Sequence, residues 1–273
     1  MSLRADLQAL KDAFPERDEA LPALFVGHGN PMNAIEDNVF SKTWEAVGAA
    51  LPKPVAILCV SAHWETRGTF LTTMERPKTI HDFGGFPPEL FAVEYPSPGS
   101  PQLAALAKET IESVGVGLTD DWGLDHGAWS VLCRMFPGAD VPVVQLSLDR
   151  FESPEFHYAL GRELKSLRKR GILVIGSGNI VHNLRLAKWD DSAADWALKF
   201  DALVAEKILS GDDEALVNYL SLGDEARLSI PTPEHYLPLL YALGLREKDE
   251  PVTFFNEGVS LSSISMRSVR FGG

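Results

Sequence analysis

The stretch Val55-Ala56-Ile57-Leu58-Cys59-Val60-Ser61-Ala62-His63-Trp64-Glu65 decides the fold. Its first part is a nearly unbroken apolar run, and it stops abruptly in small and polar residues. A strand written this way has both faces covered, as in sheets with helices on either side. Further strand candidates lie at residues 23–26, 69–73, 116–119, 141–148, 172–175, 252–255 and 263–271. Helical patterns fall between them, at residues 35–51, 101–114, 128–135, 154–170, 193–209, 213–222 and 235–243, after an amphipathic segment at 5–14. Ser153 followed by Pro154 is a helix start, and Ser210-Gly211-Asp212 is a break between two helices. The alternation predicts an α/β chain, residues 1–273 forming a single three-layer α/β/α domain around a mixed, largely parallel sheet. The one long irregular segment, 75–101, holds Gly84, Gly85 and six prolines, and reads as a binding loop or lid.

The 273 residues carry 25 basic and 38 acidic side chains, a net charge of −13, with 45% hydrophobic and 23% charged residues. That composition excludes a disordered scaffold. The negative balance argues against nucleic acid or an anionic membrane as partner, since such binding is driven by Lys and Arg. Cys59 and Cys133 read as small buried hydrophobes, because no CxxC or Cys/His zinc spacing accompanies them. No apolar run is long enough to span a bilayer, and the first residues lack the apolar segment of a signal peptide, so the expected compartment is the cytoplasm.

Ligands in such folds sit beyond the carboxyl ends of the strands, and the histidines cluster there in sequence. His28 follows the first strand in Gly27-His28-Gly29-Asn30-Pro31, His63 follows the second, and His182 follows Gly176-Ser177-Gly178-Asn179. His126 precedes a helix in Leu124-Asp125-His126-Gly127, His235 opens one in Thr232-Pro233-Glu234-His235-Tyr236, His81 lies in the long loop, and His157 sits on a polar-looking helix. Neutral imidazole is a common ligand of zinc and non-haem iron. The spacings are too long for a local metal motif, so only the fold can bring these residues together. Glu234 reads either as a metal carboxylate or as a first-turn helix acid, and Asp125 either as a partner orienting an imidazole or as a helix cap.

Taken together, these segments and Ile80-His81-Asp82-Phe83-Gly84-Gly85-Phe86-Pro87 resemble, in order from residue 27 to 236, the class III extradiol dioxygenases. The match is strongest to the 4,5-DOPA extradiol dioxygenase family. The resemblance implies a mixed α/β fold and one divalent metal, with zinc as the ion often bound and Fe(II) needed for turnover. It implies that His28, His63, His182 and His235 form the metal site and that His126 is the acid/base residue. The expected partners are a small catechol and O2, and the expected state is a monomer or small homo-oligomer. Trp64, Phe83, Phe86 and Tyr236 are candidates to wall the aromatic ring, and His81 and Asp82 to contact a polar substrate tail. Two other readings stand beside this one: a zinc hydrolase using the same histidines to activate water, and a non-catalytic zinc-binding protein.

Overall fold

In the β-strand at residues Ile172–Gly178 every residue is buried, and its apolar side chains divide between two cores. Ile172 and Val174 join one, Leu173 and Ile175 the other. The strand at Ala23–Gly27 does the same, with Ala23 and Phe25 on one side and Leu24 and Val26 on the other. A two-residue period inside a continuous apolar run requires a cover on each face.

The computed structural model, describing residues 3–190 and 192–273, supplies both covers. Its strands are β1 (Ala23–Gly27), β2 (Ala56–Thr66), β3 (Thr69–Thr72), β4 (Val116–Thr119), β5 (Val143–Asp149), β6 (Ile172–Gly178), β7 (Val252–Phe255), β8 (Val259–Ser260), β9 (Ile264–Ser265) and β10 (Ser268–Phe271). Its helices are α1 (Leu3–Ala13), α2 (Val39–Ala50), α3 (Pro88–Phe91), α4 (Pro101–Thr110), α5 (His126–Met135), α6 (Pro154–Glu163), α7 (Asp195–Ser210), α8 (Asp213–Val217), α9 (Asp224–Ser229) and α10 (Leu237–Leu245). Eight strands form one sheet in the order β4-β3-β5-β2-β6-β1-β10-β7. β5, β2, β6 and β1 are mutually parallel, whereas β3 and β10 join this set antiparallel. Leu103, Leu160, Phe200 and Leu240, from α4, α6, α7 and α10, pack on one face; Trp44 of α2 and Trp129 of α5 pack on the other.

Register brings the site's supports level. Gly27 pairs with Gly178, and Ser61 pairs with Ser177, so the ends of β1 and β6 lie level with the point where β2 leaves β6. β2 then departs from regular pairing. Val60 faces Leu146 but Glu65 faces Leu148, so residues 61–64 bulge out of the ladder.

Several boundaries differ from the sequence expectation for local reasons. The helix expected from residue 35 begins at Val39, where the Asn38 side chain accepts the N–H groups of Phe40 and Ser41, after a 3-10 turn at Pro31–Ala34. The pattern at 154–170 is α6 followed by a 3-10 segment, Leu164–Arg170. The segment 213–222 is α8 and a 3-10 turn, and α9 follows without having been anticipated. The run 263–271 is divided into β9 and β10. Cys59 is buried, but Cys133 is only half-buried. Met1 and Ser2, at the head of the stretch read for a signal peptide, lie outside the described residues. Among the described residues no helix is long and apolar enough to cross a membrane.

His157 also differs from its sequence reading. It is fully buried, with Nδ1 3.1 Å from the Tyr241 hydroxyl. Burial lowers its pKa from 6.5 to about 4. Because the folded state resists the proton, the stabilisation is complete above pH 6.5 and is lost as pH falls towards 4. Urea unfolding of the protein and of His157→Gln across this window should therefore show the unsubstituted chain losing up to about 3 kcal/mol more than the variant.

Candidate metal centre

Five imidazoles converge beyond the carboxyl ends of β1, β2 and β6. His28 directly follows β1, and its backbone N–H donates to the Gly178 carbonyl at 3.1 Å. His63 lies in the β2 bulge rather than beyond the strand end, and this bulge is what frees it from the ladder. His126 is the first residue of α5. His235 does not open α10 but stands just ahead of it, in a turn fastened to the end of β6 by a 2.8 Å bond from the Asn179 N–H to the His235 carbonyl. His182 lies just beyond β6.

The rings of His28, His63 and His235 are mutually separated by 5.0, 5.3 and 5.0 Å between centroids. Three imidazoles around one ion with metal–nitrogen bonds near ~2 Å need centroids roughly 5 Å apart. His182 stands differently: it is stacked parallel on His235 at 3.4 Å. His126 lies against His63 at 3.8 Å and edge-on to His28 at 5.8 Å.

A polar partner lies behind Nδ1 of each ring, by hydrogen bond for His28 and His235 and at contact distance for His63. Ser177 Oγ has one proton and donates it to the Gly127 carbonyl at 2.5 Å, so it accepts from His28 Nδ1 at 3.0 Å. His63 Nδ1 lies 3.3 Å from Asp82 Oδ2. His235 Nδ1 lies 3.1 Å from Glu234 Oε1. His28 Nε2 and His63 Nε2 then face each other at 3.1 Å, and His235 Nε2 is buried without a partner. Because His28 donates from Nδ1, its Nε2 turns a lone pair towards His63 Nε2, a position that a cation can take. Outer partners on the far nitrogen are the usual support of metal-binding imidazoles. The donor set therefore fits a divalent metal.

Burial, followed by the neighbouring imidazoles, holds His28 well below the usual histidine range, and His235 likewise. Burial also lowers His63, and it lowers His182 to about 4. All four imidazoles are therefore neutral at neutral pH. Burial raises the Asp82 carboxyl, but its contacts with the His126 ring and backbone N–H and the neighbouring His63 outweigh it, and the net shift is downward.

The remaining candidates are placed as follows. Asp125 takes the capping alternative. Its Oδ1 accepts the Ala128 N–H at 3.1 Å and the Ser61 hydroxyl at 2.6 Å, while Oδ2 accepts Gln145 Nε2 at 2.7 Å and Trp122 Nε1 at 3.3 Å. Glu234 bonds the His235 ring and the Thr232 hydroxyl. Asp82, expected to meet a substrate tail, instead lies against His63 and His126. Phe83 stands edge-on to His126 at 5.4 Å and packs on Phe86 at 5.3 Å. His81 Nε2 is 3.0 Å from the Val93 carbonyl, and its ring lies against Trp129. Trp64 points away from His63, as the strand alternation requires, and stacks on Trp122. Tyr236 is no ring wall: it is fully buried, and its hydroxyl donates to the Leu216 carbonyl at 3.0 Å. Sequence reasoning missed the parts of Ser177, near the end of β6, and of Ser61 and Gln145, inside β2 and β5, none of which carries a local signal.

A largely parallel sheet presenting neutral imidazoles at its carboxyl edge is the framework of the metal-dependent dioxygenases that open aromatic rings. Residues 22–272 match the family described as the catalytic LigB subunit of aromatic ring-opening dioxygenase, and the chain belongs to it. It is a metal-dependent extradiol ring-cleaving dioxygenase, acting on a small aromatic molecule and O2, and the zinc-hydrolase reading is not favoured. An Escherichia coli K12 protein named 4,5-DOPA dioxygenase extradiol is 49% identical over 92% of this chain and 95% of its own length. A Beta vulgaris protein of the same name is 35% identical over 93% of this chain and 97% of its own. The crystal structure of an uncharacterized Escherichia coli K12 protein matches with a TM-score of 0.82 at 46% identity, over 92% of this chain and 100% of that one.

Close packing makes the centre intolerant of added atoms. A Cβ on Gly127 would lie 2.5 Å from Ser61 Oγ and 2.9 Å from His63 Cδ2. Gly127→Ala should lower stability by about 1–3 kcal/mol and weaken zinc binding roughly tenfold by displacing His63, as read by thermal unfolding and chelator competition.

Proposed function

We propose that residues 1–273 act as one catalytic domain that opens the ring of a DOPA-like catechol, with Fe(II) as the working metal. The single observation that carries the site assignment is the set of three rings 5.0–5.3 Å apart, each with a polar partner at Nδ1. His28, His63 and His235 would hold the ion, and His182, stacked on His235, flanks it. When bound, Fe(II) would chelate both catechol oxygens and relay electrons from the ring to O2, a redox task that zinc, which can occupy the same donors, does not perform. The amine-bearing catechol is supported by the two relatives named for DOPA and is compatible with the acidic chain.

The protein's own groups do the rest. His126, beside His63, takes a proton from a catechol hydroxyl and returns it as the ring opens, giving a semialdehyde product. Phe83 and Phe86 offer apolar surface next to His126, on the side where an aromatic ring would meet its imidazole. The compartment we assign is the cytoplasm, and the assembly a monomer or small homo-oligomer.

Anaerobic loading with Fe(II), followed by air and a panel of catechols, tests this reading. A yellow semialdehyde or its cyclised product is expected with amine-bearing catechols, and none with zinc alone. His126→Phe should lower turnover by about 10²–10⁴-fold with metal content unchanged. Undiminished turnover in that variant removes His126 from the mechanism, and silence with Fe(II) across the panel overturns the proposal.

A further inference from the structure

The carboxylate of Asp82 lies between two imidazoles with different tasks. Oδ2 is 3.3 Å from His63 Nδ1, and Oδ1 is 2.9 Å from His126 Nδ1. Oδ1 also accepts the backbone N–H of His126 at 2.9 Å, at the first turn of α5, where the helix dipole favours an anion. His126 Nδ1 is buried, lies off the line of an ideal bond to that oxygen, and has no hydrogen-bond partner. Asp82 is the acceptor within its reach.

Asp82 is carried by the irregular segment between β3 and α3, immediately ahead of Phe83, Gly84 and Gly85. Gly85 has φ +79°, and a Cβ added at either glycine would meet nothing within 4 Å. The segment is therefore not wedged by packing there, while its neighbour Phe83 touches the edge of His126.

We propose that Asp82 is a positioning residue shared by the metal centre and the proton carrier: its one carboxylate fixes the Nδ1–H form of both His63 and His126. The inference rests on the assignment of His63 as a metal ligand and His126 as the acid/base group. An ionised carboxylate only accepts, and it has lone pairs for both rings. Each ring that donates from Nδ1 keeps a lone pair on Nε2, which His63 needs towards the ion and His126 towards the catechol hydroxyl. Catalytic hydrogen bonds are often out of line before substrate arrives and tighten when it binds. A substrate that presses on Phe83 would seat the loop and align Asp82 with His126. Seating the loop thus prepares ligand and acid/base residue together.

The test compares the protein with Asp82→Ala and Asp82→Asn in the zinc-loaded form, where no turnover intervenes. Nitrogen–proton correlation spectra should show His126 protonated at Nδ1 in the unsubstituted protein and without that preference in Asp82→Ala. Chelator competition should show zinc held about 10- to 100-fold more weakly. Asp82→Asn keeps one acceptor and should fall between, and it carries the same comparisons if Asp82→Ala fails to fold. In the Fe(II) enzyme, kcat should fall more than KM rises. Zinc affinity within about threefold of the unsubstituted protein, or an unchanged His126 tautomer, overturns the shared role and leaves Asp82 an anchor of the loop to α5. An unsubstituted protein that binds no zinc overturns the metal assignment itself, and this inference with it.

Discussion

Ser177 has a single hydroxyl proton, and the centre depends on where it goes. It is donated to the Gly127 carbonyl in the first turn of α5, which leaves the oxygen free to receive Nδ1–H from His28. One side chain on β6 thereby joins the residue after β1 to the helix that carries His126. The register that sets Ser177 beside Ser61 extends the same tie to β2, because the Ser61 hydroxyl bonds Asp125, the cap of α5. Three strands and one helix are locked through side chains that lie behind the imidazoles. Small residues are essential to this: Gly127 lets Ser61 and His63 approach to distances a methyl group would forbid.

Before any ion arrives His28 and His235 are buried and His63 and His182 half-buried, and this withdrawal from water decides their charge. His28, His63, His182 and His235 all resist protonation chiefly because water is excluded from them. A metal entering at neutral pH therefore displaces few protons. The carboxylates stay outside the ring of nitrogens: Glu234 and Asp82 sit on the far sides of His235 and His63.

Much of this was legible in the sequence wherever a strand ended in glycine and histidine. His28 and His182 could be placed because apolar runs precede them and ligands gather at strand ends. The layered fold could be read from those runs as well. His63 was placed one step wrongly, because a bulge is set by pairing with β5 and leaves no local mark. Asp125 fitted two roles equally in sequence, and its bond to the Ala128 N–H, held in place by the tertiary contacts of Ser61 and Gln145, selects the cap. Tyr236 and Trp64 show the opposite failure. Each adjoins a site histidine in the chain, yet Tyr236 turns into the helical core and Trp64 to the other side of its strand. Proximity in sequence says nothing of direction until the element and its phase are known.

The five histidines come from chain positions spread between 28 and 235, and each owes its place to a different strand or helix. Neither local segment nor isolated hairpin contains enough of the centre to capture an ion. Occupancy is thus a property of the completed tertiary structure, and metal uptake cannot organise folding in the way it does for a zinc finger. The ion would serve as a proofreader: only a chain whose β1, β2 and β6 have paired in the correct register offers it a place.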